Sequence, residues 1–247
     1  MRRLLILKTG NTLPPIAARR GDFEHWFRAG LDVPPEACTV VDARTSPPLP
    51  DPTTVDVVVV TGSPSAVHDR EPWSERAGAW MRAVVQAGRP LLGVCYGHQL
   101  LADALGGRTS RNPNGREIGL VDIWRDPRAD AAAGADDPFL DGLPPVFQAY
   151  TTHQDAVVEV PPGARILAGN LNSPYQVLAY GERARTVQFH PEFDADIMRG
   201  YLEARATDVD AELGPGAAAR RLAELAAAQV DTGPTIFRNF LALCREA

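Results

Sequence analysis

Residues 90–101 read PLLGVCYGHQLL, and this stretch decides the fold. The apolar run 91–94 has the length and composition of a buried strand, and it passes through Cys95 directly into a segment with helical spacing. Gly93 and Gly97 flank the cysteine symmetrically, so the chain can turn sharply without Cβ clashes. The pattern predicts a nucleophile elbow, with the thiol of Cys95 at a helix N-terminus where the peptide dipole favours a thiolate.

The other two cysteines lack this context. Cys38 and Cys244 have no flanking glycines and no strand-to-helix junction, so we interpret them as small buried residues, the usual role of an isolated cysteine. None of the three cysteines has CxxC spacing, which argues against both a disulfide framework and a zinc site. We therefore expect no metal or cofactor, and a reducing, cytoplasmic location.

Short β-branched runs alternate with helix-length segments before the elbow. Continuous apolar runs are typical of strands covered on both faces, and their alternation with helices indicates parallel pairing. The sequence therefore predicts an α/β fold with a doubly wound, mostly parallel sheet flanked by helices. The predicted strands are 4–7, 38–41, 57–60 and 91–94, and the predicted helices are 16–31 and 74–87.

The pattern changes from about residue 117 onward. Strand segments become alternating, which predicts an antiparallel extension of the sheet, and the final fifty or so residues become helical. The predicted strands here are 118–124, 157–160, 176–179 and 186–189, and the predicted helices are 195–206, 217–228 and 234–243.

Composition excludes two classes of partner. The net charge is −6, from 31 acidic and 25 basic residues, and no run of Lys or Arg could follow a phosphate backbone, so no nucleic acid is expected. The apolar run near residues 55–60 is interrupted by Asp56 and falls far short of the roughly 18 residues of a membrane span, so no membrane is expected either.

A thiol nucleophile needs a base, and one of the five histidines has suitable neighbours. Residues 186–193 read TVQFHPEF, so a β-run delivers His190 to a strand end and Pro191 terminates the strand. Glu192 can then contact the imidazole, fix its tautomer and stabilise the imidazolium. An HPE sequence alone could be a surface turn. Together with the elbow it predicts a triad of Cys95, His190 and Glu192.

The segments GVCYGHQLLADALGG (93–107) and VQFHPEF (187–193) together resemble the class I (triad-type) glutamine amidotransferases, most of all the amidotransferase domain of GMP synthase. The resemblance covers about the first 193 residues. It implies a flavodoxin-like fold and hydrolysis of the γ-amide of glutamine through a γ-glutamyl thioester. We expect residues 1–193 to form the catalytic domain and residues 194–247 a helical extension packed on the same domain.

The resemblance also implies an oxyanion hole. The turn 61–65 follows the third predicted strand, where the family places a backbone N–H that acts with the N–H of the residue after the nucleophile. Here the donors would be Gly62 or Ser63, together with Tyr96. Many family members have a second glycine where this chain has Ser63. The alternative is an ordinary β-turn.

Three further residues are implied to contact substrate. Gln99 lies one turn after Cys95, on the same side of the elbow helix. Thr152 and His153 begin the segment THQD, which resembles a family loop near the carboxylate and amine of glutamine. Residues 116–119 resemble the family's segment after the elbow helix. Each could instead be structural: helix-end polarity for Gln99 and a loop histidine for His153.

Three functions remain open at this stage. The first is a glutaminase that releases ammonia to a separate synthetase, because no GxxxxGK[ST] loop or ATP-pyrophosphatase signature follows Glu192. The second is a freestanding γ-glutamyl peptidase or hydrolase acting on other γ-glutamyl compounds. The third is a binding module with vestigial catalysis, which the presence of all three triad residue types disfavours. The expected ligand is glutamine or another γ-glutamyl small molecule.

Overall fold

The computed structural model describes residues 3–45, 48–126 and 137–245. The strands within these ranges, numbered in chain order, are β1 (Leu4–Lys8), β2 (Cys38–Asp42), β3 (Val57–Val60), β4 (Leu91–Val94), β5 (Arg108–Arg111), β6 (Glu117–Arg125), β7 (Val146–His153), β8 (Asp155–Glu159), β9 (Arg165–Gly169), β10 (Val177–Tyr180) and β11 (Ala184–Val187). The helices are α1 (Pro14–Arg20), α2 (Phe23–Gly30), α3 (Pro72–Gln86), α4 (Tyr96–Ala104), α5 (Ala195–Ala204), α6 (Ala206–Leu213), α7 (Ala217–Ala227) and α8 (Thr232–Arg245).

One nine-stranded sheet organises the fold, in the order β2-β1-β3-β4-β11-β10-β9-β6-β7. Its first five strands run parallel to one another, and the remaining four continue it through antiparallel pairs. The predicted parallel sheet with an antiparallel extension is therefore confirmed. β5 and β8 form a separate two-stranded antiparallel ribbon.

The central strands are buried on both faces, as their continuous apolar runs predict. Alternate side chains enter opposite cores. Val57 and Val59 pack into the core that contains α1, α2 and the C-terminal helices, whereas Val58 and Val60 pack into the core under α3 and α4. Helices on both faces of the sheet thus account for the absence of an in-out alternation in these strands.

Several predicted boundaries are wrong for local reasons. The predicted helix 16–31 is two helices, because Gly21 has a left-handed φ of 76° and Asp22 caps a new helix, accepting a hydrogen bond from the N–H of Phe23. The predicted strand 186–189 ends at Val187. The predicted strand 157–160 corresponds to β8, which pairs with β5 outside the main sheet.

Other elements have no counterpart among the predicted ones: β5, β7, β9 and α6. The predicted helix 195–206 ends at Ala204, and α6 begins immediately after Arg205. Arg205, at this junction, lines the cleft described below.

The C-terminal helices share the core of the sheet. Tyr201, Val209, Leu225 and Phe240 are buried in the same cluster as Ile6 of β1. Among the helices that the structure describes, none combines the length and apolar character needed to cross a membrane.

Candidate active site

Cys95 has the backbone geometry of a nucleophile elbow. Its φ is 51° and its ψ is −99°, a conformation that costs energy for a residue with a side chain. A side chain at either flanking glycine would clash with the backbone. A Cβ on Gly93 would lie 2.8 Å from the carbonyl oxygen of Gly97, and a Cβ on Gly97 would lie 2.8 Å from that of Val60. Strand, turn and helix therefore hold the thiol in one position.

The sheet topology brings His190 to this thiol. β4 and β11 are parallel neighbours with Val94 opposite Val187, and the N–H of Cys95 donates to the carbonyl of Val187 at 2.8 Å. The N–H of His190 donates to the carbonyl of Tyr150 at 2.8 Å, which fixes the segment after β11 against β7. The ends of adjacent parallel strands meet at one edge of a sheet, where ligand sites of α/β folds form.

Gly62 lies between the two side chains. A Cβ placed on it would be 3.1 Å from Cε1 of His190 and 3.7 Å from Cβ of Cys95. The Cys95 side chain, the imidazole of His190 and the turn after β3 therefore converge on one point.

Glu192 completes the arrangement. Its Oε1 lies 2.7 Å from Nδ1 of His190, and the two side chains are 0% and 3% exposed. Burial alone would lower the pKa of His190, but the charges of Glu192 and Cys95 and the hydrogen bond to Glu192 raise that pKa to about 10. His190 is thus held as an imidazolium at neutral pH. Its Nε2 has no hydrogen-bond partner among the described residues.

Aromatic rings fix the plane of the imidazole. Phe193 stacks on His190 with ring centroids 4.1 Å apart, and Phe23 lies parallel to it at 6.4 Å. Tyr201 of α5 stacks in turn on Phe193 at 5.0 Å, and its hydroxyl hydrogen-bonds that of Thr12 at 2.7 Å. Tyr201 of α5 therefore supports the imidazole indirectly, through the ring of Phe193.

Two buried threonine hydroxyls hold the turn after β3. Those of Thr9 and Thr61 both donate to the carbonyl oxygen of Gly62, each at 3.0 Å. Because C=O and N–H point in opposite directions across a trans peptide, the N–H of Ser63 is directed away from these threonines.

A cleft of about 190 Å³ opens above Cys95. Of the residues implied by sequence to bind substrate or oxyanion, it is lined by Ser63, Gln99, Thr152 and His153. The side chain of Tyr96 lies elsewhere: it stacks on Trp73, its hydroxyl hydrogen-bonds Ser74 at 2.6 Å, and burial raises its pKa to about 12. Only the backbone of Tyr96 is available to the site.

The polar groups of Gln99 and His153 are engaged by the protein. Nε2 of Gln99 donates to the carbonyl of Asp155 at 2.7 Å. Nδ1 of His153 contacts the same carbonyl at 2.9 Å, and its Nε2 lies 2.9 Å from Oε2 of Glu117. Both imidazole nitrogens of His153 are thus occupied, so its part in the cleft is to fix the loop around Asp155.

His98 is fully buried on the elbow helix. Its Nδ1 lies 2.8 Å from the hydroxyl of Thr186, and burial lowers its pKa to about 3, so the ring is neutral and structural. Within the described parts of the chain, no three His, Cys, Asp or Glu side chains converge as metal ligands would.

The cleft also contains three arginines, Arg111, Arg116 and Arg205. The sequence placed Arg116 in the segment 116–119 that resembles the family, whereas Arg111 and Arg205 were not selected. Arg116 makes a two-pronged ion pair with Glu212 of α6, at 2.9 Å for each contact. Arg205 comes from the junction between α5 and α6. No local motif marks Arg111 or Arg205, because the residues that complete the cleft around them are distant in sequence.

The family model of class-I glutamine amidotransferases matches residues 35–205. The chain belongs to the class-I glutamine amidotransferase family. The expected resemblance is confirmed, including its likeness to GMP synthase. The match ends at Arg205, so α6, α7 and α8 lie beyond the part that this amidotransferase shares with the family model.

Curated relatives include glutamine-hydrolysing GMP synthases. The chain is 36% identical over 150 residues to the GMP synthase of Thermomicrobium roseum, and the match covers 59% of this chain and 26% of the relative. It is 37% identical over 152 residues to that of Thermus thermophilus, covering 59% and 27%. The chain thus spans about a quarter of the length of these relatives.

Solved structures share the fold. A glutamine amidotransferase from Methylobacillus flagellatus superposes with a TM-score of 0.71 at 20% identity, covering 98% of this chain and 95% of that one. Another from Thermotoga maritima has a TM-score of 0.70 at 20% identity, with full coverage of both chains. The flavodoxin-like fold implied by the sequence is therefore confirmed.

Proposed function

We propose that this amidotransferase hydrolyses the γ-amide of L-glutamine through Cys95, His190 and Glu192, and releases ammonia for a synthetase on a separate chain. The observation that carries the proposal is the convergence of Cys95 on its strained elbow with a buried His190 that is hydrogen-bonded to Glu192. In a family named for amide transfer from glutamine, this constellation has the parts of a thiol-dependent acyl transfer.

The chemistry proceeds in two halves. The thiolate of Cys95 attacks the γ-carbonyl carbon, forming a C–S bond and an oxyanion. Collapse of this intermediate breaks the C–N bond while the imidazolium of His190 gives its proton to the departing nitrogen, which leaves as ammonia. Neutral His190 then takes a proton from water, whose oxygen attacks the γ-glutamyl thioester. Glutamate leaves, and the thiolate–imidazolium pair is restored.

The oxyanion would be stabilised by two backbone donors. We assign them to the N–H groups of Ser63 and Tyr96, because the hydroxyls of Thr9 and Thr61 fix the Gly62 carbonyl and thereby set the direction of the Ser63 N–H. Gly62 then serves to keep space between Cys95 and His190.

The head group of glutamine would bind across the cleft. Oδ1 of Asp155 is buried and has no hydrogen-bond partner among the described residues, which suits it to accept from the α-ammonium. Gln99 and His153 hold the backbone carbonyl of Asp155, and Thr152 lines the same wall. These residues together form the proposed substrate-binding wall.

We propose an ammonia-accepting synthetase as the partner, because the relatives named above are glutamine-hydrolysing GMP synthases. Weak glutaminase activity alone and stimulation by that partner are then expected. We also propose a cytoplasmic location, where the thiol of Cys95 stays reduced.

The test is turnover by the purified chain. Wild type and Cys95→Ala are incubated with L-glutamine, release of ammonia and glutamate is measured, and acid-quenched samples are weighed for one γ-glutamyl group on the protein. We expect turnover and an adduct in the wild type and neither in Cys95→Ala. Cys38→Ala is the matched control, because Cys38 lies on the edge strand β2 away from the cleft. Turnover by Cys95→Ala at the wild-type rate would refute the assignment.

A γ-glutamyl dipeptide in a parallel reaction addresses the alternative from sequence. The comparisons give no support to a freestanding γ-glutamyl peptidase. Faster release of an amino acid from the dipeptide than of ammonia from glutamine would establish that activity instead. Failure of the wild type on both substrates, with and without candidate synthetases, would leave a binding module.

A further inference from the structure

Arg205 stands at the wall of the cleft that contains Cys95. Its backbone is fixed on both sides, because its N–H donates to the carbonyl of Tyr201 at 3.1 Å and its carbonyl accepts from the N–H of Val209 at 2.9 Å. The residue thus ends α5 and begins α6, and the half-buried side chain is presented from a rigid junction.

The cleft arginines differ in how their charges are balanced. Arg116 is neutralised by Glu212. Arg111 donates to the side chain of Gln154 at 2.9 Å and lies 3.8 Å from Asp155. Within residues 3–45, 48–126 and 137–245, Arg205 has no carboxylate at ion-pairing distance, and its Nε is buried without a hydrogen-bond acceptor.

A half-buried guanidinium with an unsatisfied N–H costs desolvation free energy unless an anion accepts a hydrogen bond from it. Its planar fork matches a carboxylate in a two-pronged arrangement. Oδ1 of Asp155 lies in the same cleft, 3.8 Å from the exposed Arg111 guanidinium, and is buried without a hydrogen-bond donor among the described residues, so it can still accept from a cation. A guanidinium without an acceptor and a carboxylate oxygen without a donor are the complement of an amino acid with free α-ammonium and free α-carboxylate.

We propose that Arg205 binds the α-carboxylate of the substrate, so that the site accepts free L-glutamine and rejects glutamine whose α-carboxyl is blocked, as in a peptide. This inference rests on the proposed function for the location of the reacting amide. It makes the start of the C-terminal extension part of the substrate site.

The extension is tied to the cleft by a second contact. Glu212 of α6 accepts from Arg116 and, at 3.1 Å, from Gln154 Nε2, so it links α6 to the loop after β7. The Arg116 side chain is only 4% exposed. The wall that carries Arg205 is therefore anchored to the body of the enzyme on the cleft side.

The experiment compares L-glutamine with its α-amide, which lacks only the carboxylate charge, in wild type and Arg205→Met. In the wild type we expect kcat/KM to favour glutamine by about tenfold or more, the value of one charge-assisted contact. Arg205→Met should raise KM for glutamine by a similar factor, leave kcat little changed and abolish the discrimination. Arg205→Lys keeps the positive charge but lacks the planar, two-pronged guanidinium, so this variant should retain part of the preference for glutamine.

Arg199→Met is the matched control, because Arg199 is an exposed arginine of the same helix that does not line the cleft. It should keep the full preference for glutamine. The preference is a ratio within one protein preparation, so a partly unfolded variant does not imitate the effect. Undiminished preference in Arg205→Met would overturn the inference.

A second pair of substrates distinguishes the α-carboxylate from one on the leaving group. γ-Glutamylglycine carries a carboxylate beyond the scissile bond, and γ-glutamyl methylamide does not. If Arg205→Met changes only the ratio of kcat/KM between γ-glutamylglycine and γ-glutamyl methylamide, Arg205 binds the leaving group and our assignment is wrong.

Failure of the proposed function is recognised separately. The thiol of Cys95 can be labelled with the diazoketone analogue of glutamine, which has an α-carboxylate, or with iodoacetamide, which has none. If the wild type shows no turnover, selective loss of diazoketone labelling in Arg205→Met still supports the inference. Equal labelling of wild type and Arg205→Met by the diazoketone would refute it.

Discussion

Replacing Glu192 with Gln is expected to lower the pKa of His190 and to move the alkaline limit of activity to lower pH. Turnover requires the imidazolium, because that proton goes to the departing ammonia. The carboxylate oxygen lies 2.7 Å from Nδ1, and with side chains 0% and 3% exposed the interaction is little screened by solvent or salt. Gln keeps the shape of Glu and removes the charge.

The magnitude follows from the loss of one close opposite charge. Such a charge shifts a pKa by about 1–3 units, each worth about 1.4 kcal/mol. The wild-type pKa of His190 is about 10, so the alkaline limit of the variant should fall to about pH 7–9. The pKa of His190 rises from 6.5 in the unfolded chain to about 10 in the folded protein, so protonation of the imidazole stabilises the fold. This stabilisation is complete below pH 6.5 and is lost as the pH rises through about 10.

The assay is kcat for glutamine as a function of pH, which reports ionisations in the enzyme–substrate complex, whereas kcat/KM would also report the α-ammonium of free glutamine. Glu203→Gln, an exposed change on α5, is the control and should leave the profile unchanged. Denaturant unfolding at several pH values checks the linkage. An alkaline limit in Glu192→Gln within about half a pH unit of the wild type would refute the coupling, since the smallest expected shift is about one unit.

Three further outcomes are expected. Gly62→Ala should reduce kcat strongly while the fold survives, because the new Cβ would lie 3.1 Å from Cε1 of His190 and must displace the imidazole; unchanged kcat would contradict this placement. Thr9→Val should cost about 1–3 kcal/mol in unfolding free energy, since the Gly62 and Thr61 carbonyls lose a buried donor, and should lower kcat more than Thr9→Ser, which keeps the hydroxyl. Asp137→Ala should lower the unfolding free energy by about 3–5 kcal/mol by leaving the buried Arg185 unpaired, whereas Asp196→Ala, at an exposed ion pair, should cost about 0–1 kcal/mol. Denaturant titration measures the unfolding free energy of each of these variants, and equal losses in Asp137→Ala and Asp196→Ala would contradict the argument from burial.

The first half of the fold could be predicted because its signals are local. β1 to β4 are continuous apolar runs, and their predicted bounds agree with the structure to within one residue. The helix break at Gly21 was missed because periodic apolar residues continue on both sides of it, and only the left-handed backbone at the glycine separates α1 from α2. β8 was assigned to the wrong sheet, because an alternating pattern fixes which face is buried but not which strand lies beside it.

In the candidate site, too, the residues within local motifs could be predicted and those held by distant partners could not. The glycines around Cys95 and the sequence HPE identify the nucleophile, base and carboxylate types, since each motif is contained in a few consecutive residues. The side-chain positions of His153 and Tyr96 could not be predicted, because Glu117 and Ser74, which engage them, lie on separate elements.

By itself, the sequence determined the strained cysteine, the carboxylate two residues beyond a histidine, and a parallel core of β-branched strands. Only the tertiary structure decided that β11 pairs with β4, which places His190 beside Cys95, and that Arg205 lines the cleft. The physical reason is that turns and burial patterns are dictated by neighbours along the chain. Which strand ends meet, and which charge is left unpaired between them, is settled by packing among residues far apart in sequence.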